Sequence, residues 1–119
     1  MKKYEEEKRK EYIGDGLLTF LLRDILFAPG CDRAAQREIE FHISSNKYLN
    51  VVGEKMQLQT VSHPHDNNVS TKAYANAVEA LVYSVYTEKG LPAAKEFIEQ
   101  LVTDYKAKHH AHIRSKQEA

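Results

Sequence analysis

One cysteine, no dominant sign of charge and no long apolar run bound this chain before any motif is read. Cys31 alone cannot build a disulfide framework or a multi-cysteine metal site. Its neighbour Asp32 does not activate a thiol, so thiolate catalysis is not expected, and a reducing compartment fits. The 17 basic and 17 acidic residues cancel. That argues against the strongly basic surface of a non-specific nucleic-acid binder. No stretch approaches the roughly 18–20 apolar residues of a membrane span. The amino-terminal Met-Lys-Lys-Tyr-Glu-Glu-Glu lacks the apolar segment of a signal peptide. A soluble cytoplasmic protein with no membrane partner is the expectation. No strand alternation, internal repeat or low-complexity tract stands out.

What is present is helical periodicity. At 119 residues, 42% of them hydrophobic, the chain suits one domain with a modest core. Residues 4–27 read as one long helix, with Tyr12, Leu17, Leu18, Phe20, Leu21, Leu22, Ile25 and Leu26 on a broad apolar face. Ala28-Pro29-Gly30 ends it. Asp32 is placed to cap a second helix through His42, with Ile39 and Ile43 inward. Ser44 or Ser45 caps a third, over residues 46–56. Residues 57–69 look irregular and hold the turn-rich run His63-Pro64-His65-Asp66-Asn67-Asn68. Ser70 starts a long helix to Thr87, stopped by Lys89-Gly90. Pro92 then opens a last helix with Phe97, Ile98, Leu101, Val102 and Tyr105 on its apolar side. The fold class expected is all-α. Residues 1–105 form the domain, and residues 106–119 form a basic tail expected to fray.

Two places in these helices depart from what packing alone requires. Glu11 and Asp15 are four apart, hence on one helix face, where like charges repel by roughly 0.2–0.5 kcal/mol. Gly14 and Gly16 each cost about 1 kcal/mol against Ala in a helix interior. A helix that holds a divalent cation needs such a carboxylate pair, and small neighbours let something bulky approach. Further on, Asn76 and Glu79 share a face inside an apolar stripe. A carboxylate there sits at the stripe's edge or is buried with a partner. If the two helices lie side by side, four oxygen-bearing side chains converge, a set suited to a hard cation such as Mg²⁺.

Plainer readings stand beside each of these. Glu11 and Asp15 also fit a solvated helix face, Glu79 an edge carboxylate paired with Lys72, and Asn76 a surface amide. Asp32 fits an N-cap better than a ligand. His63 and His65 in the loop, and His109, His110 and His112 in the tail, lack ligand spacing. Tyr74, Tyr83 and Tyr86 read as packing residues. The Lys8-Arg9-Lys10 run reads as a solvated face.

The blocks themselves resemble the ribonuclease III family. Its signature of a glutamate, an aromatic, an aliphatic and Gly-Asp is matched by Glu11-Tyr12-Ile13-Gly14-Asp15. A second family block is matched by Asn76-Ala77-Val78-Glu79-Ala80-Leu81, and the Ser44-Ser45-Asn46 stretch is similar to the family's Val-Ser-Asn segment. The resemblance runs in the right order from about Lys8 to Val102. It implies an all-helical endonuclease domain that forms a two-fold homodimer. It also implies cleavage of double-stranded or structured RNA with Mg²⁺, for which Mn²⁺ substitutes. Carried over by position, Asp15 and Glu79 match the critical, catalytic metal-binding carboxylates, Glu11 a supporting acid and Asn76 a further ligand. Asp32 falls near another acidic position by a looser alignment. Asn46 and Lys47 fall on an RNA-facing turn, and Tyr12 on an aromatic that fills the dimer interface.

Departures from the family pattern matter. Asn76 stands where many members have aspartate; asparagine keeps one oxygen ligand but loses the negative charge, which should weaken metal binding, and the compact branch called Mini-III also lacks an acid there. Lys8 stands where some members have glutamate. Ten residues precede Glu11 and no double-stranded-RNA-binding domain follows. The expectation is therefore a compact form similar to Mini-III. A catalytically weak or inactive relative that binds structured RNA or a ribonucleoprotein is the alternative. A helical dimerisation module with no RNA role is a third reading, and it leaves Glu11, Asp15 and Glu79 unexplained.

Overall fold

A computed structural model describes residues 2–60 and 72–118, with side chains at 3–60 and 72–109. The described residues form five helices and no strand: α1 (Lys2–Leu26), α2 (Arg33–Ile43), α3 (Asn46–Lys55), α4 (Ala73–Lys89) and α5 (Leu91–Glu118). The all-α reading holds. Helix starts follow local chemistry. Asp32 accepts from the Ala35 N–H at 3.3 Å and caps α2. Ser45, not Ser44, caps α3 by accepting from the Tyr48 N–H at 3.2 Å. Gly90, at φ +94°, ends α4 in a conformation that a side chain would strain.

Helix α4 runs through the middle, packed against α1, α3 and α5. The core comes from all five helices: Leu18, Leu21, Leu22 and Leu26 of α1; Ile43 and Leu49 of α2 and α3; Ala75, Val78 and Val82 of α4; Ala94, Ile98, Leu101 and Val102 of α5. Two apolar residues expected inward are not. Tyr12 is 83% exposed and Phe20 57% exposed.

The expected start at Ser70, and the run from His63 to Asn68, lie outside the described residues. The tail expected to fray is helical instead. No Gly or Pro follows Pro92, and the Lys, Ala, Gln and Glu residues there are good helix formers, so nothing local stops α5 before Glu118.

The start of α4 is held from outside. Lys72 makes no side-chain cap, and the Ala75 N–H is taken by the Asn50 side-chain oxygen of α3 at 2.7 Å. Asn50→Ala should cost about 1–2 kcal/mol by orphaning that donor. Urea titration reads this loss; an unchanged midpoint would mean that the cap contributes nothing.

Candidate active site

The site begins with a close approach of two backbones. Gly14 is buried under α4, where an added Cβ would run into the Glu79 carbonyl oxygen. So what approaches at Gly14 is helix α4 itself. Gly16, one face over, meets nothing and does not serve this packing. With the helix axes this close, Asp15 and, one turn earlier, Glu11 border Asn76 and Glu79. Those four side chains line one open cleft of about 330 Å³. The cleft wall is completed by Lys8 and Tyr12 of α1, Asn46 of α3 and Lys72 before α4.

Of the residues expected at the site, the structure brings together Glu11, Asp15, Asn76, Glu79 and Asn46. Lys47 sits outside that wall, beside Ser45 and Tyr48. Asp32 is exposed and caps α2, away from the cleft of its own chain. Tyr12 does not serve the core; its ring stands in solvent at the cleft rim. Lys72 enters the cleft as a full member, a role that its sequence position shows only once α4 is known to begin beside it. Asn50, the outside cap of α4, carries no sequence signal of its own.

The electrostatics follow from crowding. Burial, first, pushes the Glu79 carboxyl up to about 8; the hydrogen bond with Asp15 and the charges of Asp15 and Glu11 push the same way, while Lys72 pulls it down. At neutral pH Glu79 therefore keeps a proton and donates it to Asp15. Glu11 turns to Lys8, whose Nζ lies 3.3 Å from Oε1. Among the described residues, no three His, Cys, Asp or Glu side chains are gathered closely enough to hold an ion as they stand. The donor set nevertheless fits a hard cation: three carboxylates and two amides, all offering oxygen. The proton held by Glu79 relieves the same crowding of carboxylate charge that a cation would relieve.

An all-helical domain with oxygen donors crossing from α1 to α4 is the class that the fold and the cleft define. The chain is similar to the ribonuclease 3 of Chlorobaculum tepidum, 33% identical over 112 residues that cover 81% of this chain and 38% of that protein. It is 27% identical over 109 residues to the ribonuclease 3 of Leptospira interrogans, covering 85% and 44%. It is 23% identical over 128 residues to that of Clostridium tetani, covering 90% and 54%. The chain thus spans between 38% and 54% of the length of these relatives. No protein-family model matches it, and no solved structure gives a significant match. The chain is a ribonuclease III-like domain. No helix among the described residues is long and apolar enough to cross a membrane.

Proposed function

We propose that this chain is a metal-dependent endoribonuclease that hydrolyses phosphodiester bonds in double-stranded or structured RNA. The observation that supports it is the meeting of Asp15 and Glu79 across the α1–α4 contact, with Glu11 and Asn76 beside them. Asp15 and Glu79 would hold Mg²⁺, or Mn²⁺ in its place, with Glu11 and Asn76 beside them to support it. When bound, the ion supplies Lewis acidity and a water of lowered pKa. The protein's own part is to fix the acids, to hold the phosphate from the Asn46 side, and to take up charge with Lys8 and Lys72. A-form RNA is met by shape, phosphates and 2′-hydroxyls, so binding should weaken steeply with salt. The basic residues 106–119, with Lys47, extend that contact beyond the domain of residues 1–105. The single unpaired Cys31 fits a cytoplasmic setting.

Cutting both strands needs two sites, and α1 offers a face for a second copy. Tyr12, Gly16 and Phe20 lie one turn apart and all are exposed, with Phe41 of α2 71% exposed as well. Aromatic anchors around a small residue suit a self-complementary two-fold interface. Tyr12→Ala is expected to shift the protein from dimer to monomer in sedimentation at micromolar concentration. A wild-type monomer at millimolar concentration would remove the homodimer.

The function is tested by Mg²⁺-dependent cleavage of a plain RNA duplex, comparing wild type with Glu79→Ala. Cleavage in the wild type alone supports the proposal. Equal cutting by both, or cutting by neither while both bind the duplex, ends it; the second result leaves an RNA-binding relative without catalysis.

A further inference from the structure

The cleft sets two lysines among its three acids. Glu11, Asp15 and Glu79 supply three negative charges when ionised, and Lys8 and Lys72 return two positive ones. Lys8 is committed to Glu11 at 3.3 Å. Lys72 sits near enough to Glu79 to favour its ionised form. Asn76 lies one turn beyond Lys72, its N–H donating to the Lys72 carbonyl at 2.8 Å. Asn76 contributes an amide oxygen and no charge.

Two divalent ions in one site sit about 3.5–4 Å apart, and their mutual repulsion has to be offset by carboxylates around them. One ion takes this cleft from one net negative charge to one net positive. A second would take it to three net positive charges, with Asn76 unable to relieve any of it.

Resting on the metal-dependent reading above, we infer that the cleft holds one divalent cation per protomer and that the Lys72 ammonium supplies the charge a second ion would bring. Its compact, rotatable ammonium suits a phosphate oxygen as a point charge. A phosphate entering the cleft then meets one cation on the Asp15–Glu79 side and one ammonium on the Lys72 side. Lys8 plays a different part: it restrains Glu11 and blocks that carboxylate from recruiting an ion of its own.

The test is Mn²⁺ binding to the whole chain without RNA, counted by the electron paramagnetic resonance of free Mn²⁺ and by calorimetry. It is run above the pH at which Glu79 ionises. The wild type should take up one ion per protomer, and Asp15→Asn should lose it. Lys72→Met should tighten Mn²⁺ by about three- to tenfold, the scale of removing one unit charge from beside a divalent ion in a water-filled cleft. Lys8→Glu combined with Asn76→Asp should take up two ions, with the helical circular dichroism of each variant confirming its fold. Two ions per wild-type protomer, or an affinity unmoved by Lys72→Met, overturns this inference and leaves the metal-dependent reading standing. No saturable binding by the wild type overturns both.

Discussion

Gly14→Ala is expected to unfold this domain or push α1 off α4, whereas Gly16→Ala, two residues along the same helix, is expected to stabilise the chain. In an isolated helix the two changes are equivalent, each gaining about 0.5–1 kcal/mol from the better helix former. The environments separate them. The Gly16 position opens onto nothing within 4 Å, so that gain is kept. At Gly14 the new methyl meets the Glu79 carbonyl, a backbone group that cannot swing aside. Relief requires the helices to separate across the Leu18, Leu22 and Val78 contacts of the core. Overpacking of that kind costs roughly 1–3 kcal/mol and more where backbone must shift. For a domain of this size each kcal/mol moves the thermal midpoint by roughly 3–6 °C. Scanning calorimetry should show the two midpoints moving in opposite directions. Because separation also parts Asp15 from Glu79, Gly14→Ala should lose metal binding even where it folds. A Gly14→Ala protein as stable as wild type would contradict the α1–α4 contact.

The second large effect is on pH. Glu79 titrates at about 8 in the folded chain, well above an ordinary glutamate. The folded state therefore holds a proton that the unfolded state has already released over the window between about pH 4.5 and 8. Stability without metal is fully present below that window and falls as pH rises through it. Solvent screening in the open cleft leaves an effect on the order of 1–2 kcal/mol. A cation flattens the slope. It has to displace that proton, so Mg²⁺ or Mn²⁺ affinity should climb up to about tenfold per pH unit below 8. Urea midpoints measured across this range should fall with pH in chelator and stay nearly level in saturating Mg²⁺. Glu79→Gln should flatten the chelator curve. A metal-free stability that rises with pH through the window would exclude the proton on Glu79.

The sequence makes the caps and stops of the helices legible because their chemistry is local. Asp32, Ser45 and Gly90 each act on backbone within four residues. The pairing of Glu11–Asp15 with Asn76–Glu79 is legible too, since both pairs break the logic of plain packing on a helix face. The rest depends on partners distant in the chain. Gly14 and Gly16 look alike until α4 is laid across one of them. Asn50 reads as an ordinary helical residue, and its amide caps a helix 25 residues away. Tyr12 and Phe20 continue the apolar periodicity of α1, yet face outward, because no other helix of the chain covers the face they share. Lys72 reads as a simple counter-ion for Glu79 until Asn46 and Lys8 close the cleft around it.

The meeting of Asp15 and Glu79 is tested most directly by a carbon-13 NMR titration of the Glu79 carboxyl in metal-free protein. The account predicts a midpoint near 8 in the wild type, a fall toward the ordinary glutamate range in Asp15→Asn, and a comparable fall when Mg²⁺ is added. A wild-type Glu79 that titrates like any exposed glutamate, indifferent to Asp15 and to Mg²⁺, would contradict it.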